Sequence, residues 1–436
     1  MFALVDGNNF YVSCGRVFAP RLAGRPVIVL SNNDGCAIAR SNEARALGIR
    51  MGEPWFQVRQ RLPGAGIIAL SANFALYGEL SGRMMAIAAG LGPAQEIYSI
   101  DESFIDLAGM TGRAGDLTPR CQRVRARLLQ WIGIPCGIGV GPTKTLAKLA
   151  NHVAKAAERK PGSYTQEFAR VCNLAALPAS DLDAVLAATD LRDVWGIGRR
   201  IGAQLREAGL ATALDVARLD PVMVRRRWSV VLERTVRELQ GQVCIHLEEG
   251  IPARKEIACT RSFGHPVTEL ADLSEAVSHF ASSAAHKLRG QAGQAGQVLV
   301  FIHTSPFRRQ DRQYSRSITV PLRRTSSDSR AIVQAAVHGL RLIFKAGYCY
   351  AKAGVMLLDL QDSRVEQQEL ALGDGEGDKR SALMLAMDRL NARYGAGTVS
   401  LASSGPNGSS RAWSMRQELR TPHYMASWAD IPRALA

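Results

Sequence analysis

The chain has 436 residues, 47% of them hydrophobic, with 54 Lys+Arg against 39 Asp+Glu, a formal charge of +15 and a pI near 9.8. It is too long for one core, so roughly two to four domains are expected, and its positive excess suits a polyanion such as nucleic acid. No apolar run is long enough to span a bilayer, the start lacks a signal-peptide pattern, and eight scattered cysteines without Cys-x-x-Cys disfavour a zinc site or a disulfide framework. The cysteines fit reduced thiols in a cytoplasm.

Phe2-Ala3-Leu4-Val5 is an apolar run that ends on Asp6-Gly7-Asn8-Asn9-Phe10-Tyr11. A buried strand ending on a carboxylate delivers it to a sheet edge. Gly7 permits close approach to the backbone, and its carbonyl could be a further metal ligand. Taken alone, Asp6 fits the cap of the next helix equally well. Val27-Ile28-Val29-Leu30 and Cys36-Ala37-Ile38-Ala39 read as strands, and Ser41 to Leu47 as a short helix closed by Gly48. Leu80 to Leu91 and residues 119–132 read as helices, the second with Val124, Leu128 and Trp131 as its apolar stripe and arginines opposite.

Between them, Ile97-Tyr98-Ser99-Ile100 leads into Asp101-Glu102 and Phe104-Ile105-Asp106-Leu107 leads away. The flanks have strand character, and neighbouring residues on a regular strand face opposite ways, so Asp101 and Glu102 converge only at a bend such as a hairpin turn. Converging carboxylates repel and need a counter-charge, for which a divalent cation with hard oxygen ligands is suited. An acidic turn in water is the plain alternative. Asp6, Asp101 and Glu102 together form a ligand set for two Mg²⁺ ions roughly 3.5–4 Å apart, as in phosphoryl transfer.

Cys136 to Val140 reads as a strand. The following Gly139-Val140-Gly141-Pro142-Thr143-Lys144-Thr145 is not a phosphate-binding Walker loop, because Thr143 stands where glycine must precede the lysine. That disfavours a nucleotide hydrolase. Thr145 to Ala154 reads as a helix ending near Lys155, and residues 166–240 as all-helical. Val194-Trp195-Gly196-Ile197-Gly198-Arg199-Arg200 fits a helix-hairpin-helix whose backbone N–H groups meet a DNA phosphate, with Arg199 and Arg200 adding charge; a plain helix–helix turn fits the glycines too. Residues 254–358 read strand, helix, strand, strand, helix, strand, with helices over Glu275–Arg289 (Val277, Phe280, Ala284 and Leu288 on one face) and Arg330–Lys345. From Phe301 to Lys345 nine basic residues stand against two acidic ones, and alternation puts Arg316 on one strand face with its neighbours two residues away. Residues 362–379 are polar and glycine-bearing, a linker. Ser381 to Tyr394 reads as an amphipathic helix on Leu383, Met387, Leu390 and Tyr394.

Several motifs together resemble Y-family translesion DNA polymerases, in particular the UmuC branch: Asp-Gly-Asn-Asn-Phe-Tyr-Val-Ser-Cys (6–14), Ser-Asn-Asn-Asp-Gly-Cys (31–36), Ser-Asn-Glu-Ala-Arg (41–45), Ser-Ile-Asp-Glu-Ser (99–103) and Gly-Ile-Gly-Val-Gly-Pro-Thr-Lys-Thr-Leu-Ala-Lys (137–148). The resemblance runs from Met1 to about residue 360 and more loosely beyond. It implies a multidomain α+β right-hand polymerase. The palm would be 1–23 and 78–165, the small fingers 24–77, the helical thumb 166–240, a βαββαβ little finger 241–360, and a linker with C-terminal extension 361–436. Phe10 and Tyr11 would lie at the nucleotide, Tyr11 as a steric gate against ribose, although both aromatics could be core. Arg45 and Lys155 would bind the triphosphate, with Lys160 an alternative to Lys155 because Pro161-Gly162 follows late. Asn42 stands where some relatives carry a phosphate-binding tyrosine. Gly35, Cys36 and Ala37 would leave the base-pair site open.

The little finger would grip DNA backbone phosphates through its sheet, Arg316 included. Gln367-Gln368-Glu369-Leu370-Ala371-Leu372 resembles a sliding-clamp peptide, anchored by Gln367 with Leu370 and Leu372 in an apolar pocket, but it lacks the usual aromatic ending. The tail, with Trp413 and Trp428, would dock a UmuD-type accessory protein. Primed DNA, dNTPs, the clamp and a RecA filament are the other expected partners, in the cytoplasm at the nucleoid. No segment looks like a proofreading exonuclease, so errors should persist. The rival reading is a catalytically silent DNA-binding scaffold; a nucleotide cyclase leaves the helix-hairpin-helix and the basic region unexplained.

Overall fold

The computed structural model describes residues 1–110, 117–248, 250, 253–308, 310–364, 377–405, 411–425 and 428–431. The chain forms two units, one of Met1–Ser31, Gly35–Ile251 and Leu419–Ala436, the other of Asn32–Asp34 and Pro252–Glu418.

In the first unit the elements run β1 (Phe2–Gly7), α1 (Phe10–Phe18), β2 (Val27–Leu30), β3 (Ala37–Arg40), α2 (Asn42–Ala46), α3 (Trp55–Arg61), β4 (Ile68–Ser71), α4 (Phe74–Ala89), β5 (Ala94–Ile97), β6 (Glu102–Asp106), α5 (Thr118–Ile132), β7 (Cys136–Gly141), α6 (Lys144–Arg159) and β8 (Val171–Asn173). The helices α7 (Ala179–Ala188), α8 (Arg199–Glu207), α9 (Ala213–Ala217), α10 (Pro221–Arg227) and α11 (Val230–Leu239) complete it. A five-stranded sheet has the order β5-β6-β1-β7-β8, with β1 at its centre and buried along its whole length. That explains why Phe2 to Val5 are uniformly apolar: a strand covered on both faces shows no alternation. Helices α4 and α5 cover one side through Leu80, Met84, Val124 and Leu128.

Helix α6 covers the other side, and glycines decide how closely. Gly137, Gly139 and Gly141 alternate along β7, so they share a face. A Cβ at Gly139 would lie 2.1 Å from the Asn151 nitrogen and 2.3 Å from the Ala147 carbonyl oxygen. The run that mimics a phosphate loop is therefore a packing device that lets α6 lie directly on the sheet.

The other small sheet, β3-β2-β4, has its own core of Ile28, Leu30, Ala37, Ala44, Ile49 and Val58. It falls within the stretch expected as fingers, and two boundaries differ from the expectation. Helix α4 begins at Phe74 rather than Leu80, capped by Asn73, and Asn32–Asp34 group with the second unit. The segment expected to be wholly helical from residue 166 first contributes β8, parallel to β7. Three residues are too few for a sequence pattern to reveal. In α5, Trp131 is 64% exposed while Cys121 joins Val124 and Leu128 inside, so the stripe is displaced by the helix's own geometry.

The second unit holds β9 (Ile257–Val267), α12 (Leu270–Arg289), β10 (Gly293–Thr304), β11 (Ser315–Ser326), α13 (Ser329–Ile343), β12 (Tyr350–Asp362) and α14 (Gly377–Tyr394). The order is the expected βαββαβ, folded as an antiparallel sheet β11-β10-β12-β9 with α12 and α13 against it. Val298, Val300 and Ile302 of β10 face those helices, and Leu299, Phe301 and His303 alternate to the other face. The C-terminal expectations change. Trp413 is 1% exposed in this core, its Nε1–H donating to Glu275 at 3.1 Å, and so offers nothing to a partner; Trp428 is 92% exposed. Among the described side chains of α14, Met384 is buried, while Leu383, Leu390 and Tyr394 of the expected inner face lie outside and Asp388 is turned inward to pair with Arg289. Among the described residues, no helix is long and apolar enough to cross a membrane.

Candidate active site

The two acidic motifs meet at one end of the central sheet. Residues Asp101 and Ser99 form the turn between β5 and β6, as the bend at Asp101-Glu102 required. Strand register sets Asp6 opposite Glu102, and the Gly7 N–H donates to the Asp101 carbonyl oxygen at 2.8 Å. Segments far apart along the chain thus bring three acidic residues together. Burial raises the pKa of Asp6 against the opposing pull of Lys155. Burial also raises that of Asp101, with the Ser99 hydroxyl hydrogen bond opposing and the Asp6 charge adding.

The counter-charges come from α6. Lys155 Nζ lies 2.5 Å from Asp6 Oδ2, and Asn151 Nδ2 donates to the same oxygen at 2.9 Å. Gly137, opposite Asp6 in the ladder, makes room: a Cβ there would lie 2.7 Å from Asn151 Oδ1. Lys148 Nζ donates to both oxygens of Glu102, at 2.9 and 2.8 Å, and sits 4.6 Å from the Tyr98 ring centroid and 5.7 Å from that of Trp195. Among the described residues, no three acidic, His or Cys side chains stand at shared-ligand spacing. The donor set itself suits a hard divalent ion: all-oxygen carboxylates on fixed backbone, with Asn8 Oδ1 and Asn151 Oδ1 buried and unbonded among the described residues.

Around this centre the expected residues divide. Tyr11 stacks on Tyr77 at 4.3 Å and 17°, edge-on to Phe74 at 6.1 Å, and the Asp101 charge helps burial to raise its pKa. Phe10, paired with it in the sequence reading, is 3% exposed, faces inward on α1 and packs over Gly7 in the core. Arg45 is exposed on α2. Asn42 Oδ1 accepts from Asn9 Nδ2 at 3.2 Å. Arg159, which the sequence reading missed, lies near Arg45: burial lowers its pKa and the Arg45 charge adds. Lys148 and Trp195 were missed as well. A helix-face period from Lys155, counting back seven residues to Lys148, was the available signal.

Gly196 has φ +92° and Gly198 is the N-cap of α8, with no side chain capping the helix; Arg199 and Arg200 are exposed there. Arg316 is exposed on edge strand β11, opposite Ile302. That register agrees with the alternation, which puts Arg316 on one face with its neighbours two residues away. Arg316 shares its parity with Tyr314 and Ile318, which pack toward the helices, while Ser315 and Ser317 carry the open face. Gln367, Leu370 and Leu372 lie outside the described residues.

The impB/mucB/samB family model matches residues 5–152, and its C-terminal domain model matches 254–370. Protein UmuC of Salmonella typhimurium (strain LT2) is 42% identical over 436 residues, 99% of this chain and 100% of the relative. The chain belongs to the impB/mucB/samB family. Within reach of this UmuC-containing family is a DNA polymerase IV from Pelotomaculum thermopropionicum, 27% identical over 417 residues, 92% of this chain and 94% of that one. A solved Y-family DNA polymerase chimera of Dbh and Dpo4 shares the fold with a TM-score of 0.64, at 18% identity, covering 82% of this chain and 99% of that one. Residues 381–434 match a domain of unknown function.

Proposed function

We infer that this member of the UmuC-containing family is an error-prone translesion DNA polymerase of the SOS response, adding deoxynucleotides to a primer 3′ end. The single observation that carries the catalytic reading is the register that sets Asp6 against Glu102 and ties Gly7 to Asp101. Asp6, Asp101, Glu102 and the Gly7 carbonyl would hold two Mg²⁺ ions in this reading. When bound, such ions supply Lewis-acid activation of the primer hydroxyl and charge against the leaving pyrophosphate.

The chain's own groups do the rest. Lys155, Arg45 and Arg159 form a cationic wall for the triphosphate, which supplies its own negative charge to replace Asp6 as the partner of Lys155. Tyr11 lies flat on Tyr77 and meets the sugar face. The uncapped N-terminus of α8 and the arginines beside it take a DNA phosphate, and the basic second unit adds sequence-independent grip, Arg316 with it. A UmuD-type protein, the sliding clamp and a RecA filament are the proposed protein partners. Eight free cysteines fit a cytoplasmic setting.

Primer extension tests the reading. Asp101→Ala should lose incorporation by three or more orders of magnitude, a loss on the scale of about 4 kcal/mol in transition-state stabilisation, while primed-DNA affinity stays within about threefold. Extension at the parent rate would remove the enzyme assignment and leave the scaffold reading.

A further inference from the structure

The stretch matching a domain of unknown function ends on a seat in the first unit. The Ser71 N–H donates to the Leu419 carbonyl at 2.9 Å, the Leu419 N–H donates to Ser71 Oγ at 3.0 Å, and Ser71 and Arg420 form a parallel bridge. Strand β4 is the outer strand of its sheet, so the tail continues the sheet at that end. Asn73 then donates from Nδ2 to Thr421 Oγ1 at 3.0 Å and to the Pro422 carbonyl at 3.2 Å. It is 1% exposed, and its Oδ1 caps α4 by accepting the Leu76 N–H. Tyr424 stacks on Phe18 at 4.7 Å and 5°, and Met425 packs beside it on the main core.

These grips fall on two particular helices. Phe18 closes α1, whose first turn carries Tyr11. Asn73 opens α4, whose first turn carries Phe74 and Tyr77. The contact between those turns is the aromatic cluster that holds the Tyr11 ring. A tail that fixes one end of each helix therefore fixes the cluster between them.

We propose that residues 419–425 are a brace that sets the position of Tyr11, so that the carboxyl-terminal segment tunes sugar discrimination at the nucleotide site. The proposal rests on Tyr11 as the residue that meets the sugar. Deleting residues 419–436, or making Tyr424→Ala in the full chain, should raise ribonucleotide relative to deoxyribonucleotide insertion on the order of fivefold or more, since roughly 1 Å of displacement at a positioned group can cost up to about 10²-fold. A synthetic peptide of residues 417–431 added to the truncated chain should restore the ratio. In a Tyr11→Ala background the truncation should add nothing further. A ratio within twofold of the parent in both tail variants, while Tyr11→Ala alone raises it, overturns the brace and leaves the gate standing. An unchanged ratio in Tyr11→Ala overturns the gate, and the brace with it. Tyr424→Ala keeps the test open if the truncated chain does not fold.

Discussion

Glu238→Gln keeps the shape of a buried side chain and removes its charge. Glu238 is 0% exposed on α11, and its carboxylate accepts three backbone N–H groups: Thr145 on Oε2 at 3.0 Å, and Cys244 and Ile245 on Oε1 at 2.8 and 3.0 Å. Thr143 Oγ1 donates to the Glu238 carbonyl at 2.9 Å. Thr145 lies in the first turn of α6, so the carboxylate also faces a helix N-terminus. Glutamine offers one acceptor oxygen, and at least one N–H would meet an NH₂ donor instead. A hydrogen bond to a charged group contributes about 1.5–3 kcal/mol and an orphaned buried donor costs about 1–3 kcal/mol; the helix end adds about 0.3–1 kcal/mol. These overlap, so a net loss of about 3 kcal/mol is expected. Urea unfolding followed by tryptophan fluorescence reads it, because five of the six tryptophans (Trp55, Trp131, Trp195, Trp228, Trp428) belong to the first unit. The first-unit transition should move to lower urea with an unchanged slope. A loss below about 1 kcal/mol would refute the reasoning that this carboxylate ties α11 to the start of α6.

Lys148→Met removes both hydrogen bonds to Glu102 and should slow single-turnover incorporation about tenfold with little change in melting temperature, as expected for a positioning residue; a rate within twofold of the parent would contradict that role. Arg199→Ala combined with Arg200→Ala should weaken binding to primed DNA uniformly across sequences and reduce the slope of log affinity against log salt by about 1 to 2, measured by fluorescence anisotropy. Burial pushes the His279 imidazole down to about 4, with the guanidiniums of Arg411 and Arg261 adding. The unfolded chain keeps its proton up to about pH 6.5. Unfolding therefore takes up a proton between those values, and the second unit should lose stability as pH falls from about 6.5 to about 4, with no contribution above. Thermal melts of His279→Phe should lack that slope.

The carboxylates of the candidate site were legible because each stands at the end of a short, locally encoded strand, and the spacing of Asp101 and Glu102 demands the turn that is found. The βαββαβ order was legible for the same reason: six long elements, each with its own period. What escaped was set by partners distant in sequence. Lys148 looks like any solvated helix lysine until Glu102, 46 residues away, and Trp195 are placed beside it. Trp413 looked like an exposed anchor and fills the core under Phe280. For Arg316 alternation gave the parity, but which face of the sheet that parity meets was set by its pairing with Ile302 of β10.

The glycines of β7 carry the larger lesson. Read as a degenerate phosphate loop, they suggest a ligand; read as absent side chains, they explain the electrostatics of the centre. Helix α6 can supply Lys148, Asn151 and Lys155 to Glu102 and Asp6 only because nothing projects from Gly137, Gly139 and Gly141 to hold it away. Three acidic residues gathered at one sheet end repel one another, and desolvation there favours the protonated forms of Asp6 and Asp101. The ammonium groups of α6 offset that cost from within the chain. The same groups are displaceable, because each is an ion pair on a long flexible stem rather than a backbone bond. A centre of this kind stays folded on its own lysines and remains open to any stronger cation.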